Sequence, residues 1–369
     1  MAVKETITSH YRKAKDFYFK YERFLVPALL VGGFIVDYIT FASFEIDFTL
    51  LFLAVHWLIA GLAIAFMHMY DAGRLGRLPL WTRYVRLYCP LIIQFMFGVL
   101  LRFSLIFYWF YGAFSVSWPL LAIIVILMVV HDRFRHYFDK PIVQLSVYFF
   151  VTLSFFSVTF PFVFNSSSVW PFIAALVVSI GLFALYLYYL SRAADVIHRK
   201  MYPIILCVGI ITIVMNGMYF GNITPPIPLA LRDAGVYHGI SFNNAHYTVL
   251  GEKQSLLDAL LQRPVLHLQP SERAFLYTAI FAPSDLTTTI IDRWQYYDTS
   301  TKDWVTMATP ALTITGGRQD GYKGFTWFAN PKPGKWRVSV ENKRGQVLGK
   351  IVFTVERTTG NVQLQKYIK

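Results

Sequence analysis

Four polar residues interrupt long apolar stretches, and each is of a type that pairs charge, donates hydrogen bonds or moves a proton: Asp37, His56, Arg102 and Asn216. Such groups are costly in hydrocarbon, so they occur there mainly in ion pairs, substrate pathways or proton relays. Asp37 and Arg102 lie about 20 Å from the inner ends of their stretches at 1.5 Å per residue, and Asn216 lies at similar depth. His56 enters from the opposite side and lies about 12 Å down. All four therefore fall at one level, in the outer half of a core about 30 Å thick. Two arrangements are open. Asp37 and Arg102 form an ion pair that locks helices, with His56 and Asn216 as hydrogen-bond partners, or the four line a pocket for a polar or anionic group or a proton relay.

Two further groups carry chemistry-bearing residues. His68, His131, His136 and His198 stand near Asp71, Asp132, Asp139 and Asp195. These are metal-ligand types, but they fall in different loops without a His-x-x-x-His spacing, and read as solvated residues at the membrane surface. No metal and no cofactor is expected. Nearer the carboxy terminus come Trp294, Tyr296, Tyr297, Trp304, Tyr322, Trp327 and Trp336. Alternation places Trp294 and Tyr296 on one face and Arg293, Gln295 and Tyr297 on the other. Trp336 with Val338 and Val340 makes an inward stripe. Tyr297, Trp304 and Tyr322, beside turns, and Arg318, in the Gly316–Gly321 turn, form the candidate ligand-binding set. Asp285 and Asp292 flank a strand without making a paired acid and base. No nucleophile elbow, phosphate loop, zinc-protease or dinucleotide motif is present, so no catalytic residue is assigned and a non-enzymatic role is favoured.

The elements that must position these residues follow from composition and charge. In 369 residues, 56% are hydrophobic and the mean hydropathy is +0.46, too apolar for a water-soluble globule. Apolar runs at 24–43, 48–69, 88–110, 116–131, 142–164, 169–190 and 203–221 each approach the ~20 residues needed to cross hydrocarbon. Basic residues occupy every second connection: Lys4, Arg12, Lys13, Lys15, Lys20 and Arg23; Arg74, Arg77, Arg83 and Arg86; Arg133, Arg135 and Lys140; Arg192, Arg199 and Lys200. The connections around Glu45, Ser115 and Asn165 have none. Basic residues beside spans stay cytoplasmic. The expectation is a seven-helix bundle over 24–221 with residues 1–23 inside and everything after about Asn222 outside. The formal charge of +13 is then a property of loops facing anionic lipid and of a scattered basic surface, not a nucleic-acid footprint.

Past the bundle the pattern changes. Thr224-Pro-Pro-Ile-Pro228 reads as a stiff linker, and Ser255–Leu261 as an amphipathic helix, so 222–264 is expected to be a Pro-rich linker with a short helical segment. From 265 to 369 eight alternating runs, Val265–Leu268, Phe275–Phe281, Thr289–Tyr297, Trp304–Ala308, Leu312–Thr315, Tyr322–Phe328, Lys335–Val340 and Leu348–Val355, predict an all-β immunoglobulin-like sandwich or small barrel. Cys89 and Cys207 both precede this domain, which therefore depends on its core rather than on disulfides.

Two sets of residues resemble a known family. One is Pro225-Pro-Ile-Pro-Leu-Ala-Leu-Arg-Asp-Ala-Gly-Val-Tyr-His238. The other comprises Phe281-Ala-Pro-Ser-Asp-Leu286, Asp292-Arg-Trp-Gln-Tyr-Tyr297, Gly316-Gly-Arg318, Gly321-Tyr322, Pro333-Gly-Lys-Trp-Arg-Val338 and Gly345-Gln346. They resemble the bacterial family called domain of unknown function 2914. The membrane part resembles its multi-span form through Gln94-Phe95, Gly98, Ser117-Trp-Pro119 and Gln144-Leu-Ser-Val147. The resemblance brings no activity; it implies a bacterial inner-membrane protein with a periplasmic carboxy-terminal domain. Three functions are weighed: a binding or scaffolding module for an envelope polysaccharide, peptidoglycan or membrane protein; a transporter or membrane enzyme centred on the polar cluster; and a periplasmic sensor signalling through a membrane partner.

Overall fold

The computed structural model describes residues 46–76, 79, 81–110, 114–133, 140–224, 227–243, 246–252, 264–283, 286–317, 321–360 and 362–369. The expected basic segment 1–23, first span 24–43 with Asp37, helix 255–261 and Arg318 lie outside these residues. The chain divides into two compact units, each described by itself.

The first unit is helical. Its elements are α1 (Ile46–Asp71), α2 (Thr82–Phe110), α3 (Phe114–Arg133), α4 (Pro141–Val163), α5 (Trp170–Ala193), α6 (Asp195–Arg199) and α7 (Met201–Phe220). Among the described residues five helices, α1, α2, α4, α5 and α7, are long and apolar enough to cross a membrane. The apolar part of α3, Val116–Met128, is shorter. α2 runs unbroken through Arg102, and it starts at Thr82, so Pro90 lies inside the helix rather than in the first turn expected of a span beginning at 88. Thr82 closes that start by donating its hydroxyl to the Pro79 carbonyl oxygen at 2.7 Å.

Aromatic and small residues knit α1, α4 and α5. Gly61 has no side chain where the Tyr148 ring approaches; a Cβ there would overlap the Tyr148 hydroxyl and lie 2.9 Å from Cζ. Tyr186 donates its hydroxyl to the Gly61 carbonyl oxygen at 2.8 Å, and Trp57 Nε1 donates to Thr152 Oγ1 at 2.8 Å. Outward, α5 and α7 expose Val177, Leu185, Ile205 and Ile213. Apolar exposure on this scale is unfavourable in water and suits a lipid environment.

The second unit, Tyr219–Lys369 with 108–119 and 161–167, is built on strands. They are β1 (Ala230–Tyr237), β2 (Gly239–Asn243), β3 (His246–Glu252), β4 (Val265–Leu268), β5 (Arg273–Phe281), β6 (Thr287–Asp298), β7 (Asp303–Ala308), β8 (Ala311–Thr315), β9 (Tyr322–Ala329), β10 (Gly334–Asn342), β11 (Val347–Arg357) and β12 (Leu364–Ile368). β4 to β11 match the eight alternating runs to within a few residues. Ala230–Tyr237, Gly239–Asn243 and His246–Glu252 differ from expectation: they are strands, not linker. They fail to alternate cleanly because β1 carries a bulge between Leu231 and Asp233 and contains Gly235.

Three sheets result. One has the order β1-β5-β9, a second β4-β11-β10-β6-β7 with β8 also on β6, and a third β12-β3-β2. All pairs are antiparallel except β4 with β11. The first two sheets share one core, including Leu276, Ile280, Trp294, Trp336, Val338, Val340 and Phe353. Trp294 and Trp336 are fully buried, as their alternation predicts. Val249 of the third sheet packs on Tyr277 and Ala279. β5 is thus covered on both sides, which is why Ala274 to Ile280 reads as an almost continuous apolar run.

Candidate functional site

Because Asp292, Trp294 and Tyr296 of β6 point into the core, Arg293, Gln295 and Tyr297 must point away from it. Pairing carries the outward set across four strands. Tyr297 faces Trp304, Gln295 faces both Thr306 and Arg337, and Ser339 faces both Arg293 and Lys350. The rings of Tyr297 and Trp304 meet edge to face, centroids 5.2 Å apart. The Arg337 guanidinium lies 4.3 Å from the centre of the Trp304 ring. Lys335 Nζ lies 5.8 Å from Tyr297 and 5.9 Å from Trp304.

A hydrogen-bond chain holds this arrangement. Arg337 Nε donates to Gln295 Oε1 at 2.7 Å, and Gln295 Nε2 donates to Thr306 Oγ1 at 3.2 Å. Arg293 is already engaged, since it donates through Nε and Nη2 to Glu341 at 2.9–3.1 Å. Among the described residues, no carboxylate stands within 4.0 Å of the charges of Lys335, Arg337 or Lys350. Burial pulls the Arg337 guanidinium below its ordinary range against the opposing fields of Asp303 and Glu341. Burial, then the positive Arg337, lowers Lys350. The face therefore carries an oriented aromatic pair and cations in excess.

The structure brings Tyr297 and Trp304 together, and separates Tyr322, which lies on β9 in another sheet, partly buried against the core. Lys335, Arg337, Lys350 and Gln295 fall outside the set expected from sequence. The signal for them is the complement of the Trp336–Val338–Val340 stripe, whose outward neighbours are Lys335 and Arg337.

Residues 287–355 match the model of a family described as Protein of unknown function (DUF2914). That stretch runs from β6 into β11 and contains the whole platform. No curated protein matches the chain. Among solved structures, a Pseudomonas fluorescens alkylpurine DNA glycosylase, AlkC, bound to DNA containing an abasic site analogue, is 10% identical over 85% of this chain and 83% of its own, with a TM-score of 0.23. A likeness that low carries no argument.

A second polar cluster lies elsewhere in the unit. His238, just after β1, is buried with Nε2 2.9 Å from Glu252 Oε1 and Nδ1 3.0 Å from Glu272 Oε1. Glu252 also accepts from the His267 backbone N–H and from His267 Nδ1, each at 2.7 Å. Burial raises the Glu252 carboxyl, but the bonds from His267 and His238 outweigh it and hold the group below its ordinary 4.5. Its stabilising contribution is therefore present above that value and is lost as pH falls through the lower folded one. Glu252 also borders a cleft of about 460 Å³ lined by Tyr237, Leu266, Phe353, Tyr367 and Lys369. Its oxygens are engaged by the two histidines, so the role of Glu252 is to join β3 to β4. Among the described residues no group of His, Cys, Asp and Glu is arranged to hold a metal ion. We expect Glu252→Gln to weaken amide protection in β3 and β4 by about 2–4 kcal/mol at pH 7, measured by hydrogen exchange.

In the helical unit His56 and Asn216 bond within their own helices. Nδ1 of His56 donates to the Phe52 carbonyl oxygen, and Nδ2 of Asn216 to that of Thr212, both at 2.8 Å. Arg102 is buried and uses the space left by Gly98, where a Cβ would stand 3.1 Å from Nη1. His68, expected in a solvated position, is instead buried and donates from Nε2 to Gln144 Oε1 at 2.8 Å, joining α1 to α4. Nearby, Arg86 pairs with Asp71 through two bonds of 2.6–2.7 Å.

Proposed function

We propose that this chain is a multi-pass protein of a bacterial inner membrane, with seven crossings, its amino terminus in the cytoplasm and an immunoglobulin-like β-domain in the periplasm. That domain is a binding or scaffolding module for a partner in the cell envelope, and the bundle is its anchor. The observation carrying the reading is the outward face around Trp304, where an oriented aromatic pair lies beside cations that have no carboxylate within 4.0 Å among the described residues. The sidedness rests on the basic residues in alternate connections. A transporter centred on the membrane polar cluster has less support, because His56 and Asn216 each direct a hydrogen bond to their own helix.

The test is a pair of fusions behind Lys369. Alkaline phosphatase, which works only in the periplasm, should be active, and a cytosol-dependent fluorescent protein should stay dark. The reverse pattern rejects the reading. Replacing 222–369 by an unrelated periplasmic domain should also abolish whatever cellular phenotype deletion of the protein produces.

A further inference from the structure

We propose that the outer face of the β6–β7–β10–β11 sheet binds an acidic polysaccharide, with Tyr297 and Trp304 stacking on a sugar ring while Lys335, Arg337 and Lys350 neutralise its carboxylates or phosphates. The proposal rests on the envelope-facing reading above and names the ligand class within it.

Three observations lead here. First, the rings are held in place before any ligand arrives. The Arg337 guanidinium sits on Trp304 at 4.3 Å and is itself tied to Gln295 at 2.7 Å. A platform ordered in advance loses less freedom on binding. Second, the three cations share one face and, among the described residues, none has a carboxylate within 4.0 Å, while the neighbouring Arg293 has Glu341. A bound anion relieves their mutual repulsion. Third, the groups are spread over four neighbouring strands. From β7 to β11 is three strand spacings, about 14 Å. That length suits a flat, repeating, charged chain more than a single small anion. Thr306, exposed beside the rings, adds a hydroxyl of the kind that sugar hydroxyls pair with.

A lipid surface or a nucleic-acid strand also offers anions, and the test separates them. Full-length protein in nanodiscs of zwitterionic lipid is titrated with polygalacturonate, dextran, polyuridylate and vesicles containing phosphatidylglycerol. Polygalacturonate should bind, weaken as salt is raised, and outcompete the other three. Trp304→Ala and Arg337→Gln should each weaken it about tenfold. Lys335→Glu, at an exposed position, should weaken it too, and the exchange measurement separates that loss from a folding defect. Hydrogen exchange across 334–342 should remain as in the parent. Absent polygalacturonate binding, binding indifferent to all three substitutions, or tighter binding of vesicles or polyuridylate to this face overturns the proposal. With an active phosphatase behind Lys369 those results sink the ligand class alone. A silent phosphatase sinks the envelope-facing reading and the proposal with it.

Discussion

Gly316→Ala should cost the β-domain about 4 kcal/mol or more, at the severe end of single substitutions. Gly316 follows β8, and its N–H donates to the Leu286 carbonyl oxygen at 2.9 Å, while Gly317 N–H donates to the Ala282 carbonyl oxygen at 3.2 Å. These bonds draw the turn against the end of β5. A Cβ on residue 316 would overlap the Pro283 carbonyl oxygen and lie 2.6 Å from its carbon and 2.7 Å from the Ala282 oxygen. All three atoms are backbone, so no rotamer change relieves the clash. Either the turn separates from β5 or two hydrogen bonds break. Loss of amide protection throughout β5, β6 and β8 in the full-length protein, with the helices unaffected, is the expected result. Unchanged exchange would mean that the close approach does not occur.

Asp292 should make the β-domain less stable as pH rises, and Asp292→Asn should remove that dependence. The carboxyl is fully buried on the core face of β6, and Oδ2 accepts from Thr326 Oγ1 across the two sheets at 2.8 Å. Oδ1 has no partner among the described residues. Burial raises the group from its ordinary 3.8 to about 6, ahead of the lowering effect of Thr326. Between those two values the folded domain holds a proton that the unfolded chain has released, so stability declines with pH across that window. Above about 6 the full penalty applies, at most about 3 kcal/mol for a displacement of this size. Asparagine keeps an acceptor for Thr326 but leaves its own amide hydrogens buried, an offset of about 1–3 kcal/mol. The informative quantity is therefore the slope rather than the absolute stability. The difference between parent and variant should be constant below about pH 4 and should have changed by up to about 3 kcal/mol by pH 7, read by hydrogen exchange in β6 and β9. Parallel profiles would show that the carboxyl is not buried as described.

Much of the β-domain is legible in the order of its residues, because strands β4 to β11 obey a local rule. In β10, Trp336, Val338 and Val340 alternate with Lys335, Arg337 and Ser339, and that alternation alone places Trp336 in a core. The same rule places Trp294 there. β1 to β3 obey no such rule. Ala230–Tyr237 is interrupted by Arg232, Asp233 and Gly235, and is a strand because β5 pairs with it through a bulge. A pairing between residues dozens of positions apart leaves no periodic trace. Likewise, His68 and Asp71 have the character of solvated interface residues, yet His68 is enclosed by α4 through Gln144.

The candidate site divides in the same way. The outward direction of Tyr297 follows from its place in β6, and the apolar, helix-forming character of 46–220 follows from composition alone. What sequence does not determine is adjacency. Proximity to turns groups Tyr322 with Tyr297 and Trp304, whereas strand order puts Tyr322 in a different sheet. Proximity to turns also leaves out Arg337 and Lys350, which share the outward side of the sheet with Trp304 only because β10 and β11 follow β6 in it. Side-chain direction along a strand is set by the two-residue pleat and is therefore local. Which strands lie side by side is decided by how the two sheets close over Trp294, Trp336 and Phe353, and that is a property of the packed domain.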